Sequence, residues 1–65
     1  MNQTFIANIR NLAENTDRKV TVVSLNAMEA HKSVYRDTTR KEEISNITGP
    51  DGDVVFDTEK GFKKR

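Results

Sequence analysis

The chain has 65 residues, 11 Lys and Arg against 10 Asp and Glu, and no cysteine. That length holds one domain at most and buries only ~60% of its unfolded surface, so the core is thin. The near-neutral balance excludes a highly charged nucleic-acid coat or an acidic DNA mimic, and the absence of thiols excludes disulfide staples and thiolate chemistry.

Taken in chain order, "TFIANIRNLAEN" admits two patterns. As a strand, Phe5, Ala7 and Ile9 share one face; as a helix, Phe5, Ile9 and Leu12 fall at i, i+4 and i+7. The strand is preferred, because it gives a local hairpin partner to "KVTVVSL" (19–25), the clearest strand in the chain. There, Val20, Val22 and Ser24 alternate with Thr21, Val23 and Leu25. Asn26 then offers a helix N-cap, with Glu29 as the return half of a capping box, and the helix is expected from Ala27 to Thr38. "EEISNITGPDGDVVFD" (42–57) reads as a hairpin, Ile44–Thr48 and Asp53–Asp57, turned by Pro50-Asp51-Gly52. Residues 60–65 show no periodicity and are expected to fray, with Phe62 available to dock.

The fold class is therefore α+β: a ββαββ order with a four-stranded, mostly antiparallel sheet and one helix on one face. The alternative is αβαββ, with residues 4–14 helical. One domain spans 1–59, followed by a basic, flexible C-terminal tail, 60–65. The expected core is Phe5, Ile9, Val20, Val22, Ala27, Ala30, Val34, either Ile44 or Ile47, Val54 and Phe56. One helix covers one sheet face only. The other face would show Ile6, Thr21, Val23 and Val55, an apolar set that suits a homodimer or a partner-binding surface.

Plotted on a helical wheel, Ala27, Ala30, His31, Val34 and Thr38 share a face, with Met28 and Tyr35 at its edge. Lys32, Arg36 and Arg40 form a ridge opposite. Together with Lys63, Lys64 and Arg65 in the tail they are the candidate interaction residues, suited to phosphates or an acidic protein groove. A plain solvated face is the commoner role of such a ridge. His31 is the only histidine. With no second His and no Cys it lacks the co-ligands of a metal site, and Ser33, two positions along a helix, points elsewhere. It is expected to pack at the helix–sheet seam. Asp51, Asp53, Asp57 and Glu59 cluster near the turn, but a Ca²⁺ loop starting at Asp51 would meet Val55 and Phe62 where ligands are required. Asn46-Ile47-Thr48 matches a glycosylation triplet, set aside because no secretory signal is visible. Gly49, Gly52 and Gly61 do not compose a phosphate loop. No catalytic set, metal or cofactor is expected. No apolar run exceeds three residues, so no membrane partner is expected, and the location is taken as cytoplasmic.

The unit "VTVVSLNAMEAHKSV", a strand, a cap and a helix opening on Glu29-Ala30, followed by a further strand, resembles the small RNA-polymerase-binding inhibitors of T7-like bacteriophages. The match covers about a third of the chain. It lacks the strongly acidic strand those inhibitors use on the polymerase, so it implies a class of protein and no particular target. That class is a small non-enzymatic interaction protein of phage or mobile-element origin, binding and modulating a host or viral protein. The alternative is a nucleic-acid-binding module using the helix ridge and the tail.

Overall fold

A computed structural model describes residues 2–63. Its elements are β1 (Gln3–Asn11), β2 (Thr16–Ser24), α1 (Ala27–Asp37), β3 (Glu42–Thr48), β4 (Val54–Asp57) and β5 (Gly61–Phe62). The strands form one antiparallel sheet in the order β2-β1-β3-β4-β5. The class is α+β, with five strands where four were expected: Gly61–Phe62 pairs with β4 and carries the sheet past residue 59. Residues 3–11 are a strand, which excludes the helical alternative for 4–14.

Local chemistry accounts for the turns. In the first hairpin Asn11 Oδ1 accepts from the N–H groups of Ala13 and Glu14, and Asn15 adopts φ 56°, a left-handed conformation that Asn tolerates. Pro50, Asp51 and Gly52 link β3 to β4. The Gly52 N–H donates to the Gly49 carbonyl, and Gly52 takes φ 86°, closing a three-residue loop with glycine at the left-handed position. Asn26 caps α1, its Oδ1 accepting from the Glu29 N–H at 2.9 Å. The Glu29 carboxylate does not complete a capping box; it lies 3.8 Å from Lys32 Nζ. The helix stops at Asp37, one residue short of expectation, because Thr38 turns to extended backbone while its hydroxyl and N–H both donate to the Tyr35 carbonyl.

β2 and β3 are both antiparallel to β1, so α1 must carry the chain over β1. The core lies beneath it: Phe5, Ala7, Ile9, Ala30, Val34, Ile44 and Ile47 are buried, with Val20, Val22, Ala27, Val55 and Phe56 packed around them. Two small residues, Ala7 and Ala30, are fully buried and allow the helix to sit close to the sheet.

Strict alternation would put Ile44 and Ile47 on opposite faces, yet both are buried. The pairings Asn8↔Asn46 and Ile9↔Ile44 leave Ser45 as an extra residue, and this bulge resets the phase. A second bulge corrects the expectation for β4. Thr48 pairs with Val54 and Ile47 with Phe56, leaving Val55 unpaired. Val55 turns toward the core, and Val54, expected inside, is 48% exposed. Val55 is thus removed from the open face and Val54 takes its place. Gly49 accommodates the shift, since a Cβ there would meet Val55 Cγ1 at 3.1 Å.

Val34→Asp is expected to abolish cooperative thermal unfolding at neutral pH, because Val34 is 1% exposed and an unpaired carboxylate would sit between helix and sheet. A cooperative circular-dichroism melt for that variant would contradict this packing. Asn26→Ala should cost about 1 kcal/mol through the lost cap, read as a lowered denaturant midpoint at unchanged slope.

Candidate functional site

The structure divides the expected cations. Lys32 and Arg36 are exposed on α1, with Lys32 facing Glu29. Arg40 is not on their ridge: the helix has ended, and Arg40 lies in the turn that leads into β3. Lys63 follows β5, donates its N–H to the Val55 carbonyl at 2.9 Å, and has Nζ 3.9 Å from Asp53. Lys64 and Arg65 lie outside the described residues. Exposed ion pairs of this kind are worth little energetically, but each carboxylate reduces the local positive potential. The result is two residues on the helix and separate cations elsewhere.

His31 is half-buried at the seam. Its ring lies 4.6 Å from Phe56 and 5.6 Å from Phe62, both edge-on, and 6.1 Å from Tyr35. Phe56 and Phe62 are themselves 4.9 Å apart. The histidine therefore helps to hold β5 against the helix. Among the described residues no three His, Cys, Asp or Glu side chains group as metal ligands. Nor is any helix among them long and apolar enough to cross a membrane.

The open face of the sheet is ordered by strand register. Val23 stands opposite Thr4. The next row across the strands is Thr21, Ile6, Thr48 and Val54; then come Lys19, Asn8, Asn46 and Asp57; then Asp17, Arg10 and Glu43. One corner is thus β-branched throughout, and Val23, Val54 and Ile6 are 60%, 48% and 40% exposed. The middle row carries a bond from Asn8 Nδ2 to Asn46 Oδ1, and the far row an Arg10–Asp17 contact at 3.4 Å. The surface runs from an apolar corner, through two central amides flanked by Lys19 and Asp57, to a charged row. The expected open-face set survives at Ile6, Thr21 and Val23.

A feature absent from the sequence expectations ties the charged end together. Arg18 Nε donates to Glu42 Oε2 at 2.8 Å, and its Nη2 reaches both Glu42 Oε1 and the Asp37 carbonyl at 3.3 Å. The Thr39 N–H donates to Glu42 Oε1 at 3.1 Å. The group fastens the end of α1 to both β2 and β3. A signal for it existed, since Arg18 is in phase with Val20 and Val22 and so points to the helix side. The Arg18 bond, then the Thr39 N–H, hold the Glu42 carboxyl below its ordinary range, and the same bond raises Arg18.

A carboxyl whose folded value is depressed stabilises the fold above its unfolded value, about 4.3, and loses that contribution as pH falls through the folded value. The melting midpoint should therefore fall below about pH 4, with Glu42→Gln already lowered at neutral pH and showing a shallower acid decline. Equal acid slopes for wild type and Glu42→Gln, measured by thermal melts across pH, would remove Glu42 from this role.

Comparison of the chain with models of protein families, with curated proteins and with solved structures finds no match.

Proposed function

We propose that this chain is a non-enzymatic binding protein that docks another protein on the open face of its sheet, at the corner formed by Val23, Ile6 and Val54. The observation that carries the reading is the exposure of these three β-branched side chains on β2, β1 and β4, with Thr48 of β3 between Ile6 and Val54 and with Thr4 and Thr21 beside them. Valine, isoleucine and threonine have few rotamers to lose, so a partner orders little on contact. An apolar centre beside a polar margin is the usual anatomy of a protein interface, and the Asn8–Asn46 and Arg10–Asp17 rows supply the margin on one side. The partner expected from the strand–helix resemblance is a host or viral protein in the cytoplasm. The chain's one histidine is committed to packing against Phe56 and Phe62, which supports binding over catalysis.

The test compares partners captured from bacterial lysate by wild type, by Ile6→Lys and by Arg36→Glu. Ile6→Lys is a surface change that should leave stability within about 0.5 kcal/mol, yet lose a stoichiometric protein partner that Arg36→Glu retains. Retention by Ile6→Lys with loss by Arg36→Glu would move the site to the helix. Capture of nucleic acid whose affinity falls steeply with salt would favour the phosphate-binding alternative through Lys32, Arg36, Arg40 and Lys63.

A further inference from the structure

The two edges of the sheet are unequal. β5 is two residues long, whereas β2 is nine and has β1 as its only neighbour. Alternate residues of β2 therefore direct both N–H and C=O away from the sheet. Long free strands are usually blunted by charge. Here Asp17, Arg18 and Lys19 all sit in the first half of β2, and Val20–Ser24 carries no charge and four β-branched residues in succession. This bare segment adjoins the docking corner, since Thr21 and Val23 belong to both.

The two sides of the edge differ. On the open side stand Thr21 and Val23, exposed and uncharged. On the helix side Val20 and Val22 are only half-covered, while Ala7 and Phe5, opposite them on β1, are buried. Above them lies α1. His31 points toward Phe56 and Phe62, which marks the flank over β4. At about 100° per residue the flank over β2 then carries Glu29, Ser33 and Asp37, while Lys32 and Arg36 lie on the outer side of the helix. Arg18 of β2 bonds the Asp37 carbonyl, which places that end of the helix in the same way. Glu29, Ser33 and Asp37 are all exposed. Glu29 has Lys32 Nζ at 3.8 Å, and among the described residues no cation lies within ion-pair distance of the Asp37 carboxylate. The nearby Arg18 guanidinium is engaged by Glu42.

We propose that Val20–Ser24 accepts an extended segment of the protein partner as a sixth strand, one that alternates lysine or arginine toward the helix with β-branched apolar residues toward the open face. The inference rests on the docking reading and names how the partner enters it. Residues directly opposite on adjoining strands share a face. Partner residues opposite Val20 and Val22 therefore face the helix, where they must cover two half-exposed valines and then meet Glu29 and Asp37. A side chain with a methylene stem and a cationic head does both. Partner residues opposite Thr21 and Val23 continue the β-branched row of the open face. Arg18 and Lys19 mark where the basic segment has to stop. A second copy of this chain is a poor occupant. Its own residues facing the helix side of this edge, Val20, Val22 and Ser24, bring no charge. Antiparallel pairing of two β2 strands about Val22 would also run the helices antiparallel and bring Glu29 of each toward Asp37 of the other, like charge against like.

The test uses the isotope-labelled intact chain and three blocked seven-residue peptides: one alternating valine and lysine, one alternating valine and glutamate, and a fully N-methylated form of the first. The valine–lysine peptide should slow hydrogen exchange at those amides of Val20–Ser24 that β1 leaves free. It should bind about tenfold more tightly than the valine–glutamate peptide, since two attractive pairs replace two repulsive ones. Glu29→Lys combined with Asp37→Lys, both surface changes, should reverse that order, and the N-methylated peptide should not bind. The valine–lysine peptide should pair equally well with Ile6→Lys, so a failure of the corner in lysate capture and a failure of the edge here are told apart. Unchanged exchange along Val20–Ser24 overturns the proposal. So do equal affinities for the two charged peptides, an order unmoved by the double variant, or binding of the N-methylated form. Protection of the same amides that rises with protein concentration in the absence of peptide would assign the edge to a second copy instead.

Discussion

One short helix has to cover one whole face of a five-stranded sheet, and most of the structure answers to that constraint. Five strands at about 4.8 Å spacing are wider than a single helix of about 10 Å diameter. The helix meets the requirement over β1, β2 and β3, where Ala30 and Val34 are its two buried residues. Beyond its reach, Phe56 and Phe62 extend the apolar layer from the sheet side, and His31 bridges to them from the helix. The two bulges serve the same end. Each turns one more apolar residue inward than alternation allows, Ile44 or Ile47 at one and Val55 at the other.

What was legible in the sequence followed from local rules. The β-branched run at 20–23, the phase of Phe5, Ala7 and Ile9, the Asn26 cap and the Pro50–Gly52 turn depend on neighbours in the chain, and the structure has them all. The misplacements came from elsewhere. A bulge is a property of a pair of strands, so neither Ser45 nor Val55 signals one alone. The helical period, continued past Thr38, places Arg40 on the ridge, but the backbone turns away there. The Arg18–Glu42 bond joins residues 24 apart, and its value lies in where the fold brings them. Of the candidate surface, Ile6, Thr21 and Val23 could be found from period-two alternation. Val54 could not, because its face depends on the bulge.

The graded open face also separates two physical tasks. At the charged end, Arg10, Asp17 and Glu43 keep the surface hydrated, and Arg18 and Glu42 on the other side fasten the helix. At the apolar end the sheet leaves rigid, branched side chains in water. Unfavourable solvation is thus concentrated in one region, distant from the charges that hold the helix. A partner could remove that corner from water without desolvating any of those ions, the costly step in covering a mixed surface.

The central position of β1 bears on how the chain reaches its native state. β1 precedes every other element, yet it is bonded on both sides, and its second neighbour, β3, joins it across contacts such as Asn8–Asn46, 38 positions apart. During synthesis the β1–β2 hairpin emerges first, with the future inner edge of β1 still bare. Closing a loop of that length carries an entropic penalty before any contact rewards it. Until then Phe5, Ala7 and Ile9 have only half of their eventual enclosure. The strand that ends as the best protected in the molecule is for a time its most exposed, and the nascent chain's greatest vulnerability to misassociation falls in the interval before β3 arrives.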